Sequence, residues 1–371
     1  MTNQKTDKIY FPNLDGLRFL AFASVFLTHS CLIFKYPFTH PDFSFLELFV
    51  LSGDLGVKFF FTLSGFLITF LLLSENYSTG KINLKYFYMR RILRIWPVYF
   101  TVVALAIILS LLPFEYYSIA DTNFYLVFSF LINFQVAASG ISSSPLIILW
   151  SVAVEEQFYL LLPLLLILFT GRIRIRIFIL ILVISILFRH RYVDFAHFLN
   201  YHTLSVCSDL VIGCIAAYFS FHYNNFKTFF QDFKKRTIIV VYLVGFSILI
   251  LRNIIFPTHW LIAFRDPVIA VFFAFVILEQ NYSEQSFYKT GRSRIITRLG
   301  KYSYGLYAYH VICITLINIF FVNYSGLQMN VMSYFLLYIA AFAFSVLLAW
   351  ISYRFMESKF LSYKKNFEPV K

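Results

Sequence analysis

A chain of 371 residues that is 60% hydrophobic and only 13% charged leaves no room for a large soluble domain, since such domains carry roughly 25% charge. The mean hydropathy of +0.74 comes from long, continuous apolar runs, which also excludes a β-barrel with its short alternating strands. The net charge of +13 falls in short loops between those runs, so it reads as a topology signal and not as a nucleic-acid footprint. The composition implies an all-α, polytopic membrane helix bundle.

In chain order, the polar start "MTNQKTDKIYFPN" has no small-residue cleavage site, so the first apolar run is expected to act as the targeting signal. Eleven apolar runs follow: 14–34, 55–73, 92–113, 124–136, 146–169, 175–189, 204–221, 237–256, 262–280, 302–322 and 331–353. A span needs about 20 residues, and 124–136 is short while 175–189 is marginal. Charge decides between them. Basic clusters stand at Lys5/Lys8, Lys81–Arg94, Arg172/Arg174/Arg176, Lys227–Arg236, Lys289–Lys301 and Arg354–Lys365. If 124–136 does not cross, all of them fall on the cytoplasmic side. That predicts about ten transmembrane helices, both termini cytoplasmic, and segment 124–136 re-entrant or interfacial on the outer side. Arg189, Arg191, Arg252 and Arg265 are then external, against the rule. No linker or clear repeat divides the chain, so 1–371 reads as a single membrane domain with a short cytoplasmic tail, 354–371.

Several polar groups sit where lipid would otherwise be, and such groups are costly and usually functional. In "LDGLRFLAFASVFLTHS", Arg18 and His29 are eleven residues apart, about three helical turns and about 16 Å of rise, hence on one face. Arg18 would lie at the cytoplasmic interface, suited to phosphate, and His29 deeper, suited to taking a proton from a hydroxyl. Their separation is similar to the reach of a coenzyme A pantetheine arm. A snorkelling Arg18 with a core His29 explains the spacing equally well. In the second run, Gly53, Gly56, Ser64 and Gly65 read mainly as close helix packing, with Ser64 a secondary candidate for ligand contact. "MRRILRIWPVYF" opens the third span, and Arg91 and Arg94 share a face that could clamp phosphate; juxtamembrane charge is the plainer reading.

"LWSVAVEEQFYLLLPLLL" carries adjacent carboxylates, Glu155 and Glu156, which point about 100° apart and cannot serve one point. At least one should face a polar cavity, with an ion pair to another span as the alternative. In "LGKYSYGLYAYHVICI", His310 is as readily a hydrogen-bonded core histidine as a catalytic one, and Ser303 with Gly305 permits close helix approach. Cys31, Cys207, Cys214 and Cys313 lack metal-type spacing and read as small apolar residues. No nucleophile elbow, zinc motif, P-loop or dinucleotide motif occurs.

Taken in order, "LDGLRFLAFASVFLTH", "GVKFFFTLSGFL", "RRILRIWPVYF", "LWSVAVEEQFYLLLP", "LGKYSYGLYAYH" and "SYRFMESKF" resemble the acyltransferase-3 family of membrane acyltransferases, which includes bacterial O-antigen and capsule O-acetyltransferases. The resemblance implies transfer of an acyl group, most often acetyl, from cytoplasmic acyl-CoA as co-substrate to a hydroxyl of a cell-surface or exported glycan. It implies a place in the bacterial cytoplasmic membrane, with no resident cofactor and no metal. The family's basic-x10-His motif matches Arg18 and His29, its Arg-x-x-Arg motif matches Arg91 and Arg94, and its Trp-Ser-x3-Glu motif matches Trp150, Ser151 and Glu155. The implied roles are acyl-CoA binding by Arg18, Arg91 and Arg94, general base for His29, and orientation of the histidine or the acceptor by Glu155. Glu156, His310, Ser64 and Trp150 are secondary candidates.

Two departures stand out. Phe19 occupies a position where many members have glycine. Glu357 is followed by Ser358 and Lys359 where many have proline two residues on, so no role is carried over to Glu357. Some relatives have a fused extracytoplasmic hydrolase-like domain, and none is expected here. Two rivals stay open: a transporter or flippase of lipid-linked glycans, and an acyl relay to a partner acyltransferase. Acceptor, oligomeric state and oxyanion stabiliser are not legible.

Overall fold

The computed structural model describes residues 11–35, 53–114, 117–323 and 330–368; Lys5 and Lys8 of the first basic cluster lie outside them. Helix α1 (Pro12–Phe34) starts with proline in its first turn and Asp15 close behind, and ends at Lys35 in the left-handed conformation. Both ends follow ordinary helix-terminus chemistry. Helix α2 (Gly53–Thr79) returns beside α1. Helix α3 (Leu84–Ser110) is capped by the Asn83 side chain, which accepts from the Tyr86 N–H.

The 124–136 run is not one helix. It forms α4 (Phe124–Phe128) and α5 (Ile132–Ser139), broken where Phe130 takes φ 56°. A break at membrane depth needs partners for the freed backbone groups, and neighbouring spans supply them. Tyr99 Oη donates to the Val127 carbonyl at 2.8 Å, and Gln157 Nε2 donates to the Phe130 carbonyl at 2.8 Å. Tyr99 is eleven residues before the end of α3, about 16 Å down the helix. The segment therefore dips into the bundle and returns, as a re-entrant hairpin.

Helix α6 (Trp150–Leu168) follows a 3-10 turn, and α7 (Arg172–Arg191), α8 (Ala196–Tyr201), α9 (Thr203–His222) and α10 (Asn224–Gln231) come next. Then come α11 (Lys235–Ile250), α12 (Arg252–Ile255), α13 (His259–Tyr282), α14 (Arg294–Lys301), α15 (Ser303–Asn318), α16 (Val331–Ser352) and α17 (Ser358–Tyr363). Eight helices or helix runs among the described residues are long and apolar enough to cross a membrane: α1, α2, α3, α6, α8–α9, α13, α15 and α16. The other two anticipated spans are helical but fall short on those criteria. Helix α7 is loaded with arginine, and α11 has 16 residues, about 24 Å against a hydrocarbon core of about 30 Å. The architecture is a polytopic membrane helix bundle, and the chain is an integral membrane protein.

Helix α2 is the central strut, and glycine lets it be so. A Cβ on Gly65 would stand 1.9 Å from the Leu210 carbonyl oxygen of α9, and one on Gly213 would stand 2.0 Å from that of Thr62. Only bare backbone permits this crossing, the small-residue packing typical of membrane helices. Next to it lies a buried ion cluster. Asp266 of α13 accepts from Lys58 of α2 at 2.7 Å and pairs with Arg189 of α7 at 2.8 Å and Arg265 at 3.2 Å. The Arg189 side chain is wholly buried, because Asp266 and the carbonyls of Leu199 and Ala263 satisfy its guanidinium.

Candidate active site

A polar cleft begins with α3. Its N-terminal half presents three arginines, and geometry sorts them. Arg90 Nη2 is bound to Glu75 at 2.5 Å and its Nη1 to the Phe367 carbonyl at 2.7 Å, so Arg90 ties α2, α3 and the C-terminal segment together. Arg91 and Arg94, three residues apart on one face, turn instead into a cavity of about 130 Å³. Neither has an acidic partner at ion-pair distance among the described residues. Arg91 lies over the Tyr159 ring at 5.8 Å, and its buried Nε–H has no acceptor. A buried, unsatisfied cationic donor is costly and calls for an anionic or carbonyl ligand.

Four more elements complete the wall. Arg18 of α1 enters from the same end, its Nη1 held by Asp15 at 2.6 Å. Helix α2 contributes Ser64. Helix α6 contributes Ser151, Glu155 and Tyr159, and α15 contributes Tyr304 and Tyr307. Ser64 Oγ and Tyr159 Oη are hydrogen-bonded, and the Glu155 carboxylate faces both hydroxyls and Arg91. Ser151 Oγ meets Tyr307 Oη at 2.6 Å. The cavity therefore graduates from guanidinium at one end, through a carboxylate and hydroxyls, to the Ser151–Tyr307 pair at the other.

His29 is not on that wall. It lies one ring further on, against His310 (ring centroids 5.1 Å), which itself abuts Tyr307 at 5.7 Å. The hydrogen bonds assign the protons, because a carbonyl can only accept. His310 Nδ1–H donates to the Tyr307 carbonyl at 2.7 Å, leaving a lone pair on Nε2. That Nε2 faces His29 Nδ1 at 3.4 Å, while the same Nδ1–H donates to the Val25 carbonyl at 2.9 Å. The basic nitrogen of neutral His29 is therefore Nε2, which has no hydrogen-bond partner among the described residues. His310 is wholly buried, whereas His29 is only partly so.

One family pattern spans all of these positions: the acyltransferase-domain family matches residues 11–354. The chain belongs to the acyltransferase-3 family. It is 28% identical over 370 residues to O-acetyltransferase OatA of Staphylococcus aureus strain NCTC 8325, a match covering 94% of this chain and 57% of the relative. A putative O-acetyltransferase of S. aureus strain COL is 28% identical over 390 residues, covering 95% and 57% respectively. The chain thus spans a little over half the length of these relatives. No solved structure is matched significantly.

Within the acyltransferase-3 frame, Arg18, Arg91, Arg94, Ser64 and Glu155 come together in one cavity, and His29 with His310 forms a separate pair beside it. The ring facing His29 is that of His310, while Glu155 faces Ser64, Tyr159 and Arg91. Glu156 points away, toward Trp96 and Tyr99, with Oε1 buried and unpartnered. Trp150 packs edge-on against Phe61 and Tyr201 and serves as a wedge between helices.

Sequence reasoning missed Tyr159, Tyr307 and Glu357. Tyr159 had a signal, since it stands four residues after Glu155 on the same helical face. For Glu357 the sequence carries no role over, because the proline two residues on is missing. In the structure it is 7% exposed, accepts from Ser352 Oγ at 3.2 Å and lies close enough to Arg94 for an electrostatic interaction. No group of residues able to hold a metal occurs among the described residues.

Proposed function

We propose that the protein transfers an acetyl group from cytoplasmic acyl-CoA to a hydroxyl of a cell-surface or exported glycan, from within the bacterial cytoplasmic membrane. One observation carries the reading: Arg18, Arg91 and Arg94, from two helices, converge unpaired by any carboxylate other than Asp15 on a cavity that becomes hydroxyl-lined with depth. Guanidinium groups suit CoA phosphates, and the cavity leads toward the histidine pair. The names of the S. aureus relatives, as O-acetyltransferases, support the acetyl group.

In this reading His29 Nε2 takes the proton of the acceptor hydroxyl. The alkoxide oxygen bonds to the thioester carbonyl carbon, the carbon–sulfur bond breaks, and CoA leaves as a thiolate that then takes up a proton. The Val25 carbonyl holds the His29 Nδ1–H and so the tautomer that leaves Nε2 free, with His310 Nε2 facing the same N–H at 3.4 Å. Glu155 works from the cavity wall, with Ser64 and Tyr159, on the bound substrate rather than on His29. Mass spectrometry of surface glycans tests this. Acetyl groups should be present with the wild-type gene and absent both without it and with His29→Ala. Unchanged glycan acetylation in the deletion strain would refute it.

A further inference from the structure

A second recess lies outside the active-site cavity, between α14 and α16. Helix α14 offers Ile295, Arg298 and Leu299 on one face, Tyr302 follows at its end, and α16 offers Phe342, Val346 and Trp350 along one stripe. The recess measures about 610 Å³. From Trp350 to Phe342 is eight residues, about 12 Å along the helix, most of one leaflet of a hydrocarbon core about 30 Å thick.

Its chemistry is graded. The inner end is apolar and closed by Phe342, whose ring rests on Phe19 and Phe26 of α1. The mouth is cationic. Arg298 lines it, Arg294 and Lys301 flank it on the same short helix, and Arg354 lies over the Trp350 ring at 5.3 Å. No carboxylate lines the recess. These arginines sit at the same end of the bundle as Arg91 and Arg18, which is the cytoplasmic end by the distribution of basic residues. An apolar slot the depth of a leaflet, with a basic mouth and an aromatic residue at the interface, is complementary to one kind of molecule: an anionic phospholipid, tail in the slot and phosphate at the arginines.

We infer that the α14–α16 recess is a binding site for an anionic phospholipid of the inner leaflet. The lipid packs against α1, the helix carrying both Arg18 and His29, through Phe342. The inference does not depend on the acyltransfer reading.

The test uses purified full-length protein in nanodiscs that contain either dibrominated phosphatidylglycerol or dibrominated phosphatidylcholine. Bromine in the tails quenches nearby tryptophan, and the quenching lost in Trp350→Phe is the part due to Trp350. Half-maximal quenching of Trp350 is expected at about fivefold lower mole fraction of the anionic lipid for each basic side chain engaged. Arg298→Gln, an exposed change that leaves the slot intact, should reduce that preference. Equal quenching by the two lipids would overturn the anionic assignment. No quenching by either would show that protein, such as a second copy of the chain, fills the recess, and would overturn the lipid itself.

Discussion

Adjacent arginines on α3 should behave in opposite ways. Arg91→Ala removes a half-buried guanidinium that faces the cavity with a buried, unsatisfied Nε–H. A hydrogen bond to a charged group is worth about 1.5–3 kcal/mol, so KM for acetyl-CoA should rise about 10- to 150-fold, at about 1.4 kcal/mol per tenfold. Thermal stability should hold or rise, because an uncompensated buried cation is removed. Arg90→Ala instead breaks contacts to Glu75 at 2.5 Å and to the Phe367 carbonyl at 2.7 Å. It strands the buried Glu75 carboxylate, which costs about 3–5 kcal/mol, yet it touches nothing in the cavity. Its melting temperature should fall while KM of the surviving protein stays near wild type. The assay is acetyl-CoA-dependent label transfer by purified protein, with melting followed in the same detergent. Equal rises in KM for both variants, or no rise for Arg91→Ala, would refute this division of labour.

Other residues give equally direct tests. His310→Ala removes the ring that packs on His29 and faces its Nδ1–H at 3.4 Å, while the Val25 carbonyl acceptor stays, so kcat should drop with little change in KM for acetyl-CoA, and the pH–rate profile should shift. An unchanged profile would reduce His310 to a packing role. Gly65→Ala forces a methyl to within 1.9 Å of the Leu210 carbonyl oxygen, and overpacking of this kind costs about 1–3 kcal/mol. A wild-type melting temperature would show that α2 and α9 do not cross so tightly. Asp266→Asn withdraws the shared counter-charge of Lys58, Arg189 and Arg265. Breaking such a buried pair costs about 3–5 kcal/mol, so the yield of folded protein should collapse, and normal yield would contradict the cluster's role.

The sequence carries the helices because lipid imposes a strong, local rule: about twenty apolar residues make a span. The re-entrant segment was legible for a different reason, since only its failure to cross puts the basic clusters on one side. Its break at Phe130, with partners on two other spans, was not legible. The convergence of Arg18, Arg91, Arg94 and Glu155 was only half legible. Helical spacing gives the face of each residue on its own helix but not which faces meet. The same limit hid the pairing of His29 with His310, 281 positions apart, and of Arg189 with Asp266. For Glu155 the family resemblance leaves two roles, orienting the histidine or orienting the acceptor. Its carboxylate sits with Ser64 and Tyr159, and Tyr159 is one turn along the same helix.

The central claim is that His29 is the base in acetyl transfer, and one measurement addresses it most directly. Purified wild-type and His29→Ala protein are given radiolabelled acetyl-CoA and an acceptor glycan, with acetyl-CoA binding measured in parallel. General-base catalysis contributes about 10²–10⁴-fold, so His29→Ala should bind acetyl-CoA normally and transfer label at least about 100-fold more slowly. Transfer at the wild-type rate would contradict the account.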